Sequence, residues 1–410
     1  MENKTYKPLV FILFLTVATL SFASIDNSSA ASTLYVNGSS GNDSYDGESP
    51  IFTSGINGPK STIQNATNTI DTNGTINVAN GIYKEHLIIN KSVNLIGESQ
   101  IGTIIDGEHT GRVITINGNP KVYIGKFTIQ NGDGGYGLGY SGAGGGIYNQ
   151  GNLTIYNTTI QNNYGPYTEG IYEGGAIYNQ GNLTIYNSNL QHNQAEGGGG
   201  ICNAGLATII NTTIQNNCAG EGGAIENYGT AIIKNCKIQN NYVGEYEGGG
   251  ICNGGKITII NTIIQNNTAG SGGAIYNYGT ANIINTIIQK NAAYYGGAIY
   301  NYRKITITGS KIQNNKAKYG GAIYTKGTKS TISIRKSTIR NNTATKYGGA
   351  IYSTSGKIVA NYNHITGNTH YAIYRKGGTI NAKYNWWGSK KPKFYKIIKG
   401  KVTYRPGLKK

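Results

Sequence analysis

The chain has 410 residues, among them 62 glycines, 33 tyrosines, 7 prolines and 1 methionine, and 13% of it is charged. Glycine at about twice its usual share argues against a mainly helical protein and against the two or three domains such a length suggests. Recurring Ile, Tyr and Thr argue against disorder. The net charge of +18 is unevenly placed: residues 303–410 hold 24 Lys/Arg and no acid, whereas residues 1–302 hold 12 against 18.

Residues 1–31 read as a signal peptide. Lys4 and Lys7 precede an apolar run from Leu9 to Phe22, and small residues follow at Ala23, Ala30 and Ala31. The mature chain is therefore expected to be secreted or held at the cell surface, without a transmembrane anchor after cleavage. Residues 32–131 read as an N-terminal cap and irregular early coils. Within them Pro59 to Ile70 sets Ile63, Ala66 and Ile70 on one helical face, a short cap over the end of the fold. Asp43 and Asp46 suit a turn in that cap and also suit calcium.

Residues 132–388 are repeats. Isoleucines of the phrase Gly-Gly-Ala/Gly-Ile-Tyr-Asn recur from Ile147 to Ile373 at intervals of 30, 24, 24, 26, 24, 24, 24, 28 and 22 residues. Each unit contains three β-like segments separated by turn residues; in one unit these are Ala176–Tyr178, Leu183–Tyr186 and Asn189–Gln191. The pattern predicts an all-β, right-handed, single-stranded parallel β-helix with three strands per coil and about 24 residues per coil. Three asparagine columns stay in phase with the isoleucines: Asn149 to Asn301, Asn157 to Asn285, and Asn163 to Asn315. Their amides are expected to bond vertically or to hold left-handed corners. The glycines before each isoleucine are expected where other residues cannot go.

Four cysteines in an exported chain first suggest disulfides. Cys202 and Cys252, however, share one column two coils apart with Glu226 between them, about 9.6 Å by strand spacing, too far to bridge. All four are expected to be small apolar fillers. Trp386 and Trp387, in Asn-Trp-Trp-Gly, follow the last repeat as a core plug or as sugar-binding aromatics. Residues 389–410 form a basic C-terminal tail, expected to be mobile.

The opening Leu34 to Gly47 and Thr62 to Ala66 resemble the start of pectin-lyase-like right-handed β-helix proteins. The Gly-Gly-Ala-Ile-Tyr-Asn and Ile-Gln-Asn-Asn repeats with the Asn-Trp-Trp-Gly ending are similar to adhesin-like surface proteins of methanogenic archaea. This resemblance, over about residues 33–390, implies a surface role. Enzymes of the fold imply an alternative, a polysaccharide lyase or glycoside hydrolase. Glu173, Glu221 and Glu247 stand four residues before their isoleucines, and Glu221 with Glu247 on adjacent coils would be the carboxylate pair. A solvated stripe or weak cation site explains that column as well, and it runs on as Ser271, Tyr295, Tyr319 and Tyr347.

The five histidines share no ligand spacing, so neither metal nor cofactor is expected. The column after the isoleucine holds Tyr148, Tyr178, Tyr276, Tyr300, Tyr324, Tyr352 and Tyr374. Alternation turns these rings outward, as a platform for sugar or as a self-packed ladder. With the basic last third, the expectation is a binding protein rather than an enzyme. Its partner would be a cell-surface or wall polysaccharide, acidic by charge complementarity, and not nucleic acid.

Overall fold

The structure is a computed structural model that describes residues 32–135, 144–165 and 173–408. The signal-peptide segment lies outside the described residues. Strands repeat vertically in parallel: among the described residues three sheets run the length of the molecule with 14, 13 and 12 strands. One coil shows the plan. Ile177–Asn179 lies in the first sheet, Asn182–Tyr186 in the second and Asn189–Gln191 in the third. Each pairs in register with its counterpart one coil on, Ile177 with Ile201, Ile185 with Ile209 and Leu190 with Ile214. The isoleucine column is fully buried from Ile147 to Ile373 at 0–1% exposure, so inward isoleucines from all three sheets build one continuous core. Parallel pairing of three sheets around that core makes the fold a parallel β-helix.

A fourth sheet of seven strands adds to the expected three, from Gln194–Gly197 to Thr343–Tyr347. Its residues had the composition of a turn. They become strand because the 24-residue period keeps them one above another, which pairs their backbone groups. The following glycine bends the chain back into the first sheet with positive φ, between +58° and +74° from Gly198 to Gly348. The next glycine lies against the backbone above: a Cβ on Gly223 would sit 2.4 Å from the Gly249 carbonyl oxygen.

The asparagine columns divide into two kinds. Asn157 to Asn285 are the left-handed corners, with φ of 49–54°. The other two are buried amide ladders. In one, Asn149, Asn179, Asn203, Asn227, Asn253 and Asn277 donate Nδ2 to the next Oδ1 at 2.7–2.8 Å, ending at Asn301, whose Nδ2 donates to the Ser330 hydroxyl at 2.8 Å. In the other, Asn163 to Asn342 do so at 2.9–3.1 Å. A buried amide is tolerable because its neighbour satisfies it.

Both ends are covered. Helix α1, Ile63–Thr69, with its C-cap Ile70, buries Ile63, Ala66 and Ile70 at 0–2% exposure. Its first amides, on Ile63 and Gln64, donate to Glu85 at 2.8 Å each. Asp43 accepts from Ser61, Thr62 and the Thr62 hydroxyl, and Asp46 from Glu48, Asn57 and Gly58, so both carboxylates serve the cap's turns. At the far end the expected mobile tail is packed instead. Trp387, 7% exposed, plugs the core and meets Phe394 of α2, Phe394–Ile397, edge-on at 5.9 Å. Ile398 and Val402 are buried, and Ile398 pairs with Ile373. The exposed end of the core needs an apolar lid, and the tail supplies it.

Candidate functional site: a diagonal seam and a basic groove

In the repeat coils the outward side chains of the first sheet are largely covered. The fourth sheet leads into a corner that overhangs the first, and a residue four before one isoleucine covers the residue after the next isoleucine. Tyr295 lies over Tyr324 at 5.0 Å between ring centroids, Tyr319 over Tyr352 at 5.4 Å, and Tyr347 over Tyr374 at 4.5 Å. Vertical stacking adds Tyr276–Tyr300 at 4.8 Å and Tyr300–Tyr324 at 4.9 Å. Tyr178, Tyr300, Tyr324 and Tyr352 therefore keep only 6–8% exposure, and Tyr148, Tyr276 and Tyr374 are half-buried. The expectation of an open tyrosine platform is corrected: these rings are mainly a second, aromatic core, and alternation failed as a guide because it ignores the overhang. Trp387 is likewise buried, while Trp386 is half-buried at the edge.

In the middle coils the same seam is acid and thiol. Cys202, Glu226 and Cys252 stand in the tyrosine column and pair in register. Cys252 Sγ lies 3.6 Å from Glu221 Oε2, and Cys202 Sγ lies 3.9 Å from Glu226 Oε2. Glu226 fits because its covering residue is Gly197: a Cβ there would come within 2.0 Å of Glu226 Oε2. The Tyr228 hydroxyl donates to Glu226 Oε1. Burial pushes the Glu226 carboxyl up to about 8, the Tyr228 hydroxyl opposes this and the Glu221 charge adds to it. Burial and the neighbouring carboxylates raise the Cys252 thiol well above its ordinary range. Burial, then Glu221, raises Glu247. Glu221 and Glu247 lie on adjacent coils, where the Gly222 N–H donates to the Glu247 backbone carbonyl at 3.0 Å, and both side chains are half-buried. Glu226, which the sequence reading passed over as a mere spacer between cysteines, lies at the centre.

The cysteines are free. Cys202 and Cys252 are carboxylate neighbours rather than apolar fillers. Cys236 belongs to a buried Ser/Thr column (Thr158, Ser188, Thr212, Thr262, Thr286, Ser310) and donates Sγ–H to the Lys234 carbonyl at 3.2 Å, as Thr212 does to Ile210 at 2.9 Å.

The basic third presents its cations to solvent. Among the described residues the one ion pair is Lys84 with Glu108, far from this region. Turns between the first and second sheets carry glycine at 151, 181, 205, 229, 255 and 279, but arginine at 303. Where the glycine row ends, a groove of about 610 Å³ opens, floored by Gly254, Gly255 and Gly279 and walled by Tyr278, Arg303, Lys304 and Lys329. Tyr278 leans over Gly254, where a Cβ would sit 2.5 Å from its ring. A shallow continuation along the second sheet is edged by Arg335 and Lys357.

A long inward isoleucine file, vertical parallel pairing and end caps define a protein of the right-handed parallel β-helix class. Residues 201–386 match the family described as right handed beta helix region. No curated protein matches the chain. Among solved structures it is similar to the A-module of mannuronan C-5 epimerase AlgE4 from Azotobacter vinelandii, at 11% identity over 80% of this chain and 90% of that one, with a TM-score of 0.38. It is also similar to tailspike protein gp49 of Acinetobacter baumannii bacteriophage Fri1, a capsular polysaccharide depolymerase, at 12% identity over 80% and 58%, with a TM-score of 0.36. Pectate lyase Pel9A is similar at 14% identity over 93% and 80%, with a TM-score of 0.34. These are likenesses of fold.

Proposed function

We propose that this chain is an extracellular, adhesin-like binding protein that holds acidic polysaccharide on the basic surface of its last coils and performs no chemistry on it. The observation that carries this reading is the groove lined by Tyr278, Arg303, Lys304 and Lys329, whose three cations form no ion pair among the described residues. Guanidinium and ammonium groups recognise carboxylates or sulfates, and a tyrosine face suits a sugar ring. Exposed, uncompensated cations also attract a polyanion from a distance. The acid-rich seam supports catalysis poorly, because its central carboxyl, Glu226, is 3% exposed and out of reach of a polymer.

Binding of polygalacturonate, alginate and a neutral glucan to the purified chain tests the reading. Acidic polymers should bind, with affinity falling steeply as salt is raised, and the neutral glucan should not. A triple Arg303→Ala, Lys304→Ala, Lys329→Ala variant should lose at least tenfold in affinity. Equal binding of neutral and acidic polymers would refute the electrostatic part. New reducing ends or unsaturated uronates that vanish in Glu247→Gln would establish an enzyme instead.

A further inference from the structure

The seam joins tyrosine to tyrosine in the last coils, but from Ile201 to Ile251 it joins carboxylates to thiols. We propose that Glu221, Glu226 and Cys252 form a binding site for a borderline divalent cation of the zinc class. One oxygen from each glutamate and the cysteine sulfur all lie within 4.8 Å of one another. Bonds of about 2.3 Å to sulfur and 2.0 Å to oxygen in a tetrahedral zinc site place neighbouring sulfur and oxygen ligands about 3.5 Å apart. Cys252 Sγ and Glu221 Oε2 are 3.6 Å apart, so this pair already stands at ligand spacing. The thiol selects against calcium and magnesium, which take oxygen ligands. Cys202, two strand rises from Cys252, stands beyond reach of the same ion and flanks Glu226.

Three further features fit a cation. The Tyr228 hydroxyl donates to Glu226 Oε1 and the Cys202 thiol approaches Oε2 at 3.9 Å, so neighbours fix the carboxylate's orientation, the role outer-shell partners play. Gly197 gives that carboxylate room that any side chain would take. The third is charge: Glu226 and Cys252 are 3% and 0% exposed, and among the described residues no Lys, Arg or His forms an ion pair with this cluster. Burying such groups without a counter-charge is costly, and a divalent ion supplies what the fold's own cations do not. Water completes the shell.

The full chain, stripped with a chelator and titrated with Co²⁺, tests the site. One equivalent should bind, giving the visible bands of tetrahedral cobalt and a near-ultraviolet sulfur-to-cobalt band, and Zn²⁺ but not excess Ca²⁺ should displace it. Cys252→Ser should abolish the sulfur band. Glu221→Gln, at a half-buried position that the fold tolerates, should weaken Co²⁺ binding at least tenfold. Cys218→Ser, on the half-exposed thiol of the fourth sheet, should keep the native spectrum. A native chain without the sulfur band, a band that survives Cys252→Ser, or unchanged affinity in Glu221→Gln would overturn the proposal.

Discussion

Asn227 donates Nδ2 to Oδ1 of Asn253 at 2.8 Å, and both side chains are fully buried although 26 residues separate them. The same Nδ2 lies 3.2 Å from the Gly229 carbonyl, and Asn203 donates to Asn227 Oδ1 from the coil below at 2.8 Å. Every amide in the ladder is thus both donor and acceptor, and reversing one dipole breaks two coils at once.

Asn227→Asp keeps the shape but sets a carboxylate oxygen against two acceptor oxygens. The expected loss is about 1–3 kcal/mol or more, read from the urea midpoint by circular dichroism. Asn235→Gly, at a left-handed exposed corner with φ of 54°, should change stability by less than about 0.5 kcal/mol.

Cys236 occupies a hydroxyl position. Cys236→Thr should be neutral or stabilising, since an oxygen serves the Lys234 carbonyl better than sulfur does. Cys236→Val removes the donor and should cost about 1–3 kcal/mol. Equal midpoints for the two variants would contradict the column argument.

Glu226 gives a pH dependence in metal-free protein. Its carboxyl is pushed up to about 8 in the fold from an ordinary value of 4.5. Between those values the folded chain keeps a proton that the unfolded chain has lost. Stability is therefore fully present below about pH 4.5 and falls as pH rises towards 8, by up to about 1.4 kcal/mol per pH unit. Glu226→Gln should flatten the slope of denaturation midpoint against pH across this window.

Trp387→Ala should cost about 3–5 kcal/mol, because the indole fills the open end of the core. Coils of a solenoid contact only their neighbours. Hydrogen exchange should therefore quicken first in Lys357–Asn361 and Thr379–Asn381, while Lys256–Ile260 stays protected.

Much of the fold was legible in the chain because vertical neighbours recur about every 24 residues. The isoleucine file, the cap with Ile63, Ala66 and Ile70, and the separation of Cys202 from Cys252 all follow from counting. The fourth sheet was not legible, since Gln194–Gly197 has turn composition and becomes strand only when copies stack. The packed tail was missed because its lysines mask Phe394, Ile398 and Val402, which meet the core only once the last coil ends beneath them. Of the candidate site, the carboxylates Glu221 and Glu247 were legible as a column. Glu226 was signalled by its intrusion into the tyrosine file, but its neighbours were not.

Periodicity alone determined which residues share a column, because identical coils can stack in register only when their inward side chains and hydrogen-bonding groups coincide. What lies across a corner was left to the tertiary structure. The overhang of one coil on the next sets Glu221 over Cys252, leaves Gly197's place to Glu226, and closes the tyrosines away from water. That diagonal depends on how sharply a glycine pair turns the backbone, a three-dimensional quantity that no spacing along the chain encodes.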